Sequence, residues 1–479
     1  MKTNKGTLSI FFIALLINIG NFYADTKKET NTTEDSYKKT KSADLKQMLT
    51  QKTPAWELTV EQFEKKWKPF FKWLNKTKKT AARFQAINSP YKLTIAGLPV
   101  WETVIRFKEN KFKRMEVSLY NRGDASVSQR MIQNGTELKK MTSSQFKDLI
   151  KLINDKMNEW IQVKGKALPP KKLIGGSNDL IYEKYWVKGE ECAGLQWSIT
   201  KLGNTFEPEY MKFIYSKYDS HNDPRKMMTR NRNAGKLNNA GKLKDNVKTK
   251  DGFKYIDNIP MVDQGPKGYC AVAATERVLK YYGSNVDQHE IAQLVDTTYG
   301  TNPVHMIKML KRATPKLGLK ILTYLDPPDF SKGYGGRDTR DYIKEIDGFN
   351  KILKKQGLSQ LPLMYPIVAQ IEGQRLTLFK EYKCNKHKTE FKRFKSNIKK
   401  NIDKGIPVVW GLFLGVVPEN GKTPQSRGGH MRLIIGYNKD LSQLVFTDTW
   451  GAGHEFKTIN SDDAWIVTSF YGVFKPSKK

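Results

Sequence analysis

The spacing of hydrophobic residues predicts two amphipathic helices in the first third of the chain. Thr59 and Gln62 have the spacing of a capping box, and apolar residues then recur every three or four positions, at Phe63, Trp67, Phe70, Phe71 and Leu74. Pro69 lies within this run, so the helix is expected to kink or restart there. Residues 143–164 repeat the pattern and predict a second helix with one apolar face.

Alternation of apolar and polar residues predicts β-strands around and after these helices. One strand is expected at 101–107 and another at 115–119, joined by a turn at 109–111. Short strands are expected again between 180 and 215, and one of them carries Cys192, which we interpret as a small buried hydrophobic residue. Residues 51–220 are therefore predicted to form an α+β accessory domain.

Two polar segments flank this predicted domain. Residues 25–50 are rich in charged and hydroxyl side chains and are interpreted as a disordered basic leader. Residues 221–250 hold nine Lys or Arg residues and two Asp residues, and the pentamer Asn-Ala-Gly-Lys-Leu occurs at 233–237 and at 239–243. This composition predicts an exposed basic linker rather than a packed element.

The first 24 residues have the pattern of a secretory signal peptide. Lys2 and Lys5 precede an apolar stretch at 8–19, and Ala24 ends a plausible processing region. About 12 apolar residues are too few to cross a bilayer core, which takes about 20. The protein is therefore expected to be exported to a bacterial periplasm, cell surface or extracellular space, with no transmembrane segment in the mature chain.

The charge of the chain narrows its expected partners. The 479 residues include 83 Lys or Arg and 48 Asp or Glu, for a formal net charge of +35. Only 16 of the basic residues are Arg, the side chain that base recognition favours, and no recognition motif accompanies them. We therefore expect no specific nucleic-acid partner, and an acidic cell-surface polymer remains a possible one.

The cysteine and histidine counts exclude two further classes of protein. Three cysteines, Cys192, Cys270 and Cys384, are too few for a disulfide scaffold in an exported chain of this size. The six histidines lack the spacing of a metal site. No metal or other cofactor is predicted.

Candidate chemistry begins at 263–274, where a Gly- and Pro-containing loop runs into a predicted helix. Cys270 stands at the start of that helix, where unpaired backbone N–H groups and the helix dipole favour a thiolate. Gln264 lies six residues upstream, and its side-chain amide could join a backbone N–H in an oxyanion hole.

A base for this thiol is predicted in the last sheet. His430 enters an apolar strand from a Gly-rich loop, and the next strand ends at Asp448. If the two strands are neighbours, the Asp448 carboxylate lies beside the imidazole and supports its orientation and positive charge. His454 is a rival base, although no acidic residue follows it at a suitable spacing.

These residues, in the order Gln264, Cys270, His430 and Asp448, resemble those of the papain-like cysteine peptidases. The Gly-His-x-x-x-x-x-Gly-Tyr run and the compact span of 251–479 are closest to the bacterial branch related to bacteriocin-processing peptidases (family C-thirty-nine-like). The resemblance implies a papain-like α+β domain over 251–479, with a helical part and an antiparallel sheet.

The resemblance also implies a role for each residue. Gln264 would be the oxyanion donor, Cys270 the nucleophile, His430 the general acid and base, and Asp448 the group that orients the histidine. The expected substrate is a peptide or protein. Ala271 stands where papains have Trp after the nucleophile, which fits the bacterial branch.

Three functions stay open at this stage. The first is hydrolysis of peptide bonds through an acyl-enzyme at Cys270. The second is acyl transfer to an amine on the same triad, as transglutaminases perform. The third is non-catalytic binding of an acidic surface polymer.

Overall fold

The computed structural model describes residues 42–49, 53–87, 89–128, 140–172, 179–218, 243–284, 286–297, 300–317, 319–420 and 427–476. The predicted signal peptide, most of the predicted leader and most of the predicted linker lie outside these residues. The described chain is a mixed α+β protein, as the sequence predicts. Within the described ranges, every helix is too short or too polar to cross a membrane.

The first part of the described chain, residues 42–218, is called the N-terminal unit. Its elements are β1 (Ser42–Asp44), α1 (Lys46–Leu49), α2 (Val60–Trp67), β2 (Lys72–Trp73), β3 (Ala81–Gln85), β4 (Lys92–Ile95), β5 (Leu98–Pro99), β6 (Glu102–Lys108), β7 (Lys111–Asn121), α3 (Arg122–Ser128), α4 (Ser143–Ile161), β8 (Lys166–Lys172), β9 (Asp179–Lys188), β10 (Glu191–Leu202) and β11 (Thr205–Lys217). Eight strands form an antiparallel sheet in the order β2-β3-β6-β7-β11-β10-β9-β8, and β1, β4 and β5 form a smaller one.

Local sequence explains how these elements begin and end. The predicted capping box at Thr59 and Gln62 is present, and α2 ends at Trp67, before Pro69, rather than continuing toward Leu74. A second capping box, at Thr142 and Gln145, starts α4. The strands predicted as short between 180 and 215 are long, because β10 and β11 pair along almost their whole length.

Order begins earlier in the chain than the sequence indicates. The segment from Ser42 to Leu49 belongs to the predicted disordered leader, yet it forms β1 and α1. Leu45, Met48 and Leu49 are buried in the core of the N-terminal unit. Burial of these three side chains and the pairing of β1 with β4 therefore attach this polar segment to the N-terminal unit.

The second part, residues 243–476, is called the C-terminal unit. Its elements are β12 (Val247–Lys250), β13 (Phe253–Ile256), α5 (Cys270–Tyr281), α6 (Gln288–Leu294), α7 (Pro303–Ala313), β14 (Leu319–Leu325), α8 (Arg337–Lys355), α9 (Gly373–Lys386), α10 (Lys388–Ile402), β15 (Val408–Leu414), β16 (Gly428–Asn438), β17 (Gln443–Thr447), β18 (Lys457–Asn460), α11 (Ser461–Val467) and β19 (Thr468–Pro476). The strand β12 lies within 221–250, the segment predicted as a linker, and pairs with β13.

The sheet of the C-terminal unit positions the candidate site. Its strands follow the order β12-β13-β16-β15-β19-β14, with β17 added on β16 and β18 on β17. The helix α5 is buried along most of its length and packs against β16. The start of α5, the entry of β16 and the end of β17 therefore meet at one edge of the sheet.

Candidate active site

Cys270 is the first residue of α5 and is half-buried. No side chain caps this helix, so its first N–H groups are available to other acceptors. Interactions with the backbone of Ala271 and Met431 contribute to lowering the pKa of the Cys270 thiol. The helix start and the neighbouring strand β16 thus favour the anionic form of the sulfur.

The imidazole of His430 lies between the Cys270 sulfur and a carboxylate. Its Nε2 is 2.7 Å from Oδ1 of Asp448, and its interaction with the Cys270 thiol helps raise the pKa of the imidazole. Since Nε2 is engaged by Asp448, the nitrogen that faces the sulfur is Nδ1. The His430 side chain is only 6% exposed, so these contacts lie in a largely water-free environment.

This arrangement favours an ion pair of thiolate and imidazolium. Burial alone would keep Cys270 neutral, but the hydrogen bond and charge of His430 and two backbone N–H groups lower the pKa of the thiol below 9.0. Burial also opposes the charged form of His430, but Asp448 and Cys270 outweigh it and raise the pKa of His430 to about 9. Both shifts favour the pair of thiolate and imidazolium over the neutral pair.

Asp448 follows β17 and is completely buried. The strands β16 and β17 pair Leu433 with Thr447, which brings the next residue, Asp448, beside the start of β16. Its Oδ1 accepts the His430 contact and a hydrogen bond from the backbone N–H of Thr449, at 2.8 Å. Burial opposes ionisation, but Arg432 and His430 hold the pKa of the Asp448 carboxyl far below its usual range.

Arg432 links Asp448 to a second buried carboxylate. Its Nε donates to Oδ2 of Asp448 at 2.6 Å, and its Nη1 donates to Oε1 of Glu419 at 2.6 Å. Arg432 and Asp448 are fully buried, and Glu419 is nearly so. Both oxygens of Asp448 are therefore engaged, which fixes the carboxylate plane that His430 contacts.

Trp450 covers the contact between His430 and Asp448. Its ring stacks on the imidazole with centroids 4.7 Å apart and an angle of 26° between the planes. The guanidinium carbon of Arg432 lies 5.4 Å from the centre of the same indole. An aromatic ring in this position keeps water away from a charged hydrogen bond, which strengthens that bond.

Gln264 is held by the residue that follows Asp448. Its backbone N–H donates to the carbonyl of Thr449 at 2.8 Å, and its Oε1 accepts the Thr449 hydroxyl at 2.6 Å. Because the amide oxygen is engaged, the NH₂ end of the Gln264 side chain is the end left to donate. The loop before Cys270 is thus joined to the segment that carries Asp448 and Trp450.

Arg277 makes a further connection between the cysteine helix and the Asp448 segment. It lies two turns after Cys270 on α5 and is fully buried. Its guanidinium donates to the carbonyl of Asp448 at 2.6 Å, to Oγ1 of Thr447 at 2.8 Å and to the carbonyl of Pro260 at 2.9 Å. Burial lowers the pKa of Arg277 to about 10, so it remains charged at neutral pH.

The other candidate residues stay apart from this cluster or only flank it. Cys192 is buried in β10, as expected of a small hydrophobic residue. Cys384 is half-buried, and burial, with the nearby Asp462 charge, raises the pKa of its thiol. The rival base His454 contacts the edge of Trp450, and burial lowers its pKa. Over the described ranges, no cluster of three His, Cys, Asp or Glu side chains could hold a metal ion.

Sequence reasoning brought Cys270, His430 and Asp448 to one place but missed Arg277, Arg432 and the covering position of Trp450. A signal for the two arginines is visible in the sequence. Arg432 interrupts the apolar run of β16, and Arg277 interrupts that of α5. A charged residue in the middle of an apolar element is expected to have buried partners.

Comparisons with known proteins bear on the last third of the chain. A search of curated proteins found no match. Residues 363–473 match the family described as Peptidase_C39 like family, and this segment contains His430 and Asp448 but not Gln264 or Cys270. The resemblance of the C-terminal half of this chain to the C39-like branch of the papain-like peptidases is thereby confirmed.

Proposed function

We propose that the protein is an exported cysteine peptidase with a papain-like catalytic domain in its C-terminal unit. The observation that carries the proposal is the position of the His430 ring, which is hydrogen-bonded to Asp448 and interacts electrostatically with Cys270. The lowered pKa of the thiol and the raised pKa of the imidazole support a thiol that ionises more readily than a free cysteine. The family match over 363–473 supports peptide-bond chemistry.

The proposed reaction begins with attack of the Cys270 sulfur on the carbonyl carbon of the substrate. The C=O electron pair moves to oxygen, and the NH₂ group of Gln264 and a backbone N–H at the start of α5 stabilise that oxyanion. Collapse breaks the C–N bond, and the proton on His430 passes to the leaving amine. Water then attacks the thioester and His430 accepts its proton; the C–S bond breaks, the carboxylic acid leaves, and the pair of thiolate and imidazolium is restored.

Asp448 keeps its charge throughout this proposed cycle. Its carboxylate holds the imidazole so that Nδ1 faces the sulfur, and it stabilises the imidazolium that protonates the amine. Arg432 and Trp450 act through Asp448 and His430 and are positioning residues.

Thiol labelling and hydrolysis test the proposal in one experiment. The exported full-length protein is treated with iodoacetamide at pH 6 and assayed on a peptide library for new amino termini. Cys270→Ala should abolish both rapid labelling and cleavage. Cys384→Ala is the matched control and should change neither, because burial and nearby acidic charge raise the pKa of that thiol. Undiminished labelling or cleavage in Cys270→Ala would refute the assignment.

The products separate hydrolysis from the two other functions. In the presence of a primary amine, a peptidase still releases a free acid, whereas an acyl transferase forms an amide. If Cys270 is labelled but no peptide is turned over, salt-sensitive binding of an acidic polymer would favour the non-catalytic function. A cut near residue 24, detected by amino-terminal sequencing of the exported protein, tests the proposed signal peptide.

A further inference from the structure

The seven residues before Cys270, residues 263–269, are called the oxyanion loop because they include Gln264. In its middle, Lys267 is completely buried, although Lys is normally an exposed residue. Its Nζ lies 3.1 Å from both carboxylate oxygens of Asp124 and 3.5 Å from Oε2 of Glu102. Both carboxylates belong to the N-terminal unit, so the centre of the oxyanion loop is attached to that unit.

The first residue of the oxyanion loop is attached to the same unit. Nη1 of Arg83, on β3, lies 2.8 Å from Oδ2 of Asp263, and Nε of Arg83 lies 3.0 Å from Oε1 of Glu102. Burial would favour the neutral form of Glu102, but Arg83 and Lys267 outweigh it and lower the pKa of Glu102 to about 2. Glu102 therefore stays charged and joins two of the cations that hold the loop.

The last residue of the loop also rests on the N-terminal unit. The ring of Tyr269 is buried and lies against Gly123 in α3. A Cβ atom at position 123 would be 2.4 Å from Oη of Tyr269, so any larger residue there must displace the ring. Since Cys270 follows Tyr269 directly, this contact ends next to the nucleophile.

The cost of these contacts argues for a role in positioning. Burying ion pairs is costly, and apolar residues of similar size often stabilise a protein as well or better. The charged contacts at the start and centre of the loop nevertheless fix its position against β3, β6 and α3. On its other side, Gln264 is bonded to Thr449 of the C-terminal unit. The oxyanion loop is therefore held between the two units.

We propose that the N-terminal unit is a permanent part of the active enzyme and that Lys267 is a positioning residue that acts through the oxyanion loop. This inference rests on the proposed function, because it assigns the N-terminal unit a role in the same site. The unit holds the loop so that Gln264 meets the developing oxyanion. The pair of Cys270 and His430 is stabilised from within the C-terminal unit, through Asp448 and Arg432.

This division of roles predicts a split between two measurements. Alkylation of Cys270 by iodoacetamide needs the thiolate but no oxyanion hole, whereas peptide hydrolysis needs both. A small displacement of a positioned group can cost about a hundredfold in rate. Loosening the oxyanion loop should therefore lower kcat and leave the pH midpoint of alkylation in place.

Two independent perturbations test this prediction in the full-length protein. Gly123→Ala displaces Tyr269 from the side of the N-terminal unit and removes no charge. The double variant Lys267→Met with Asp124→Asn removes the central ion pair without leaving Lys267 or Asp124 as an unpaired charge. Each should lower kcat at least tenfold, with KM within twofold of the parent value and an unchanged midpoint for alkylation of Cys270.

Lys78→Met is the matched control, because Lys78 also joins the two units. Its Nζ is 2.9 Å from Oδ1 of Asp257, but both side chains lie at the exposed rim and neither belongs to the oxyanion loop. This variant should keep the parent kcat. An unchanged kcat in a folded Gly123→Ala protein would overturn the proposal, as would an alkylation midpoint that moves together with kcat.

Backbone hydrogen exchange distinguishes failure of the proposed peptidase function from failure of the proposed attachment of the oxyanion loop. If the parent protein cleaves no peptide, the proposed function fails, and the positioning role is then judged by exchange of the amides in 263–269. Faster exchange there in Gly123→Ala, with unchanged exchange in β16, supports the attachment of the loop to the N-terminal unit. Unchanged exchange in the loop overturns it, whatever the activity.

Discussion

The charge of Asp448 should determine the protonation of His430, and Asp448→Asn isolates that charge. The amide oxygen of Asn can still accept from Nε2 of His430, which lies 2.7 Å from Oδ1 in the parent protein. The substitution keeps an acceptor for the ring while removing the negative charge, but the amide NH₂ takes the place of Oδ2 and cannot accept from Nε of Arg432. It also leaves Arg432 with Glu419 as its remaining ionic partner.

The size of the effect follows from the geometry. Two unit charges about 4 Å apart interact by about 4 kcal/mol at an effective dielectric constant of about 20. A change of about 1.4 kcal/mol shifts a pKa by one unit. Losing roughly two thirds of this interaction would therefore lower the pKa of His430 by about two units, from about 9 to near 7. The thiolate then loses its cationic partner in the same range, and the pKa of Cys270 should rise.

Two assays follow this change. Titration of the six histidines by NMR, with His430 identified by its absence in His430→Gln, gives the midpoint of the imidazole directly. The rate of Cys270 alkylation against pH gives the midpoint of the thiol. Asp448→Asn should move the first midpoint to about 7 and the second upward, with at least a tenfold slower alkylation at pH 6.

Asp403→Asn is the matched control for loss of a carboxylate. Burial raises the pKa of Asp403, but Lys254, Tyr437 and other partners lower it to about 2, and none of its contacts involves the candidate site. The control should leave both midpoints unchanged. A His430 midpoint that stays within half a pH unit of the parent in Asp448→Asn would refute the electrostatic role of Asp448.

Four further outcomes are expected. Trp450→Ala should admit water to the imidazole and lower the NMR midpoint of His430, whereas Trp450→Phe should retain most of it. Thr449→Val removes the donor to the Gln264 amide oxygen and should lower kcat about tenfold, measured with an unchanged rate of thiol alkylation. Arg277→Met removes a buried guanidinium together with the three hydrogen bonds that it donates, and should lower the free energy of unfolding in urea by about 3 kcal/mol. Because the pKa of His430 is raised in the fold, its stabilising contribution is present below pH 6.5 and declines as pH rises toward 9. In a Cys270→Ala background, His430→Gln should therefore lower the free energy of unfolding in urea by about 2 kcal/mol more at pH 6 than at pH 10.

Local rules of sequence predicted the elements that depend on neighbouring residues. The capping box at Thr59, the hairpin between β6 and β7, and the helix that begins at Cys270 each follow from spacing within a few positions. The lengths of β10 and β11 could not be predicted in this way. Their extent depends on pairing with each other and with β7 and β9, which is set by the whole sheet.

The candidate site divides along the same line. The side chains of Cys270, His430 and Asp448 follow helix and strand boundaries, so their proximity could be anticipated. The attachment of Lys267 to Asp124 could not, because the two residues are 143 positions apart and each resembles an ordinary surface charge in the sequence. Ion pairs between the N-terminal unit and the C-terminal unit leave no periodic pattern in the sequence.

Although the chain is rich in Lys, Arg residues make several of the buried charged contacts around the candidate site. Arg83, Arg277 and Arg432 are buried around the candidate site, and each bonds two or more acceptors at once. A guanidinium can do this because its donors form a rigid planar fork, whereas an ammonium is a compact point charge that loses its proton more readily when buried. Arg432→Lys would therefore keep the formal charge but could not reach Asp448 and Glu419 with the same geometry.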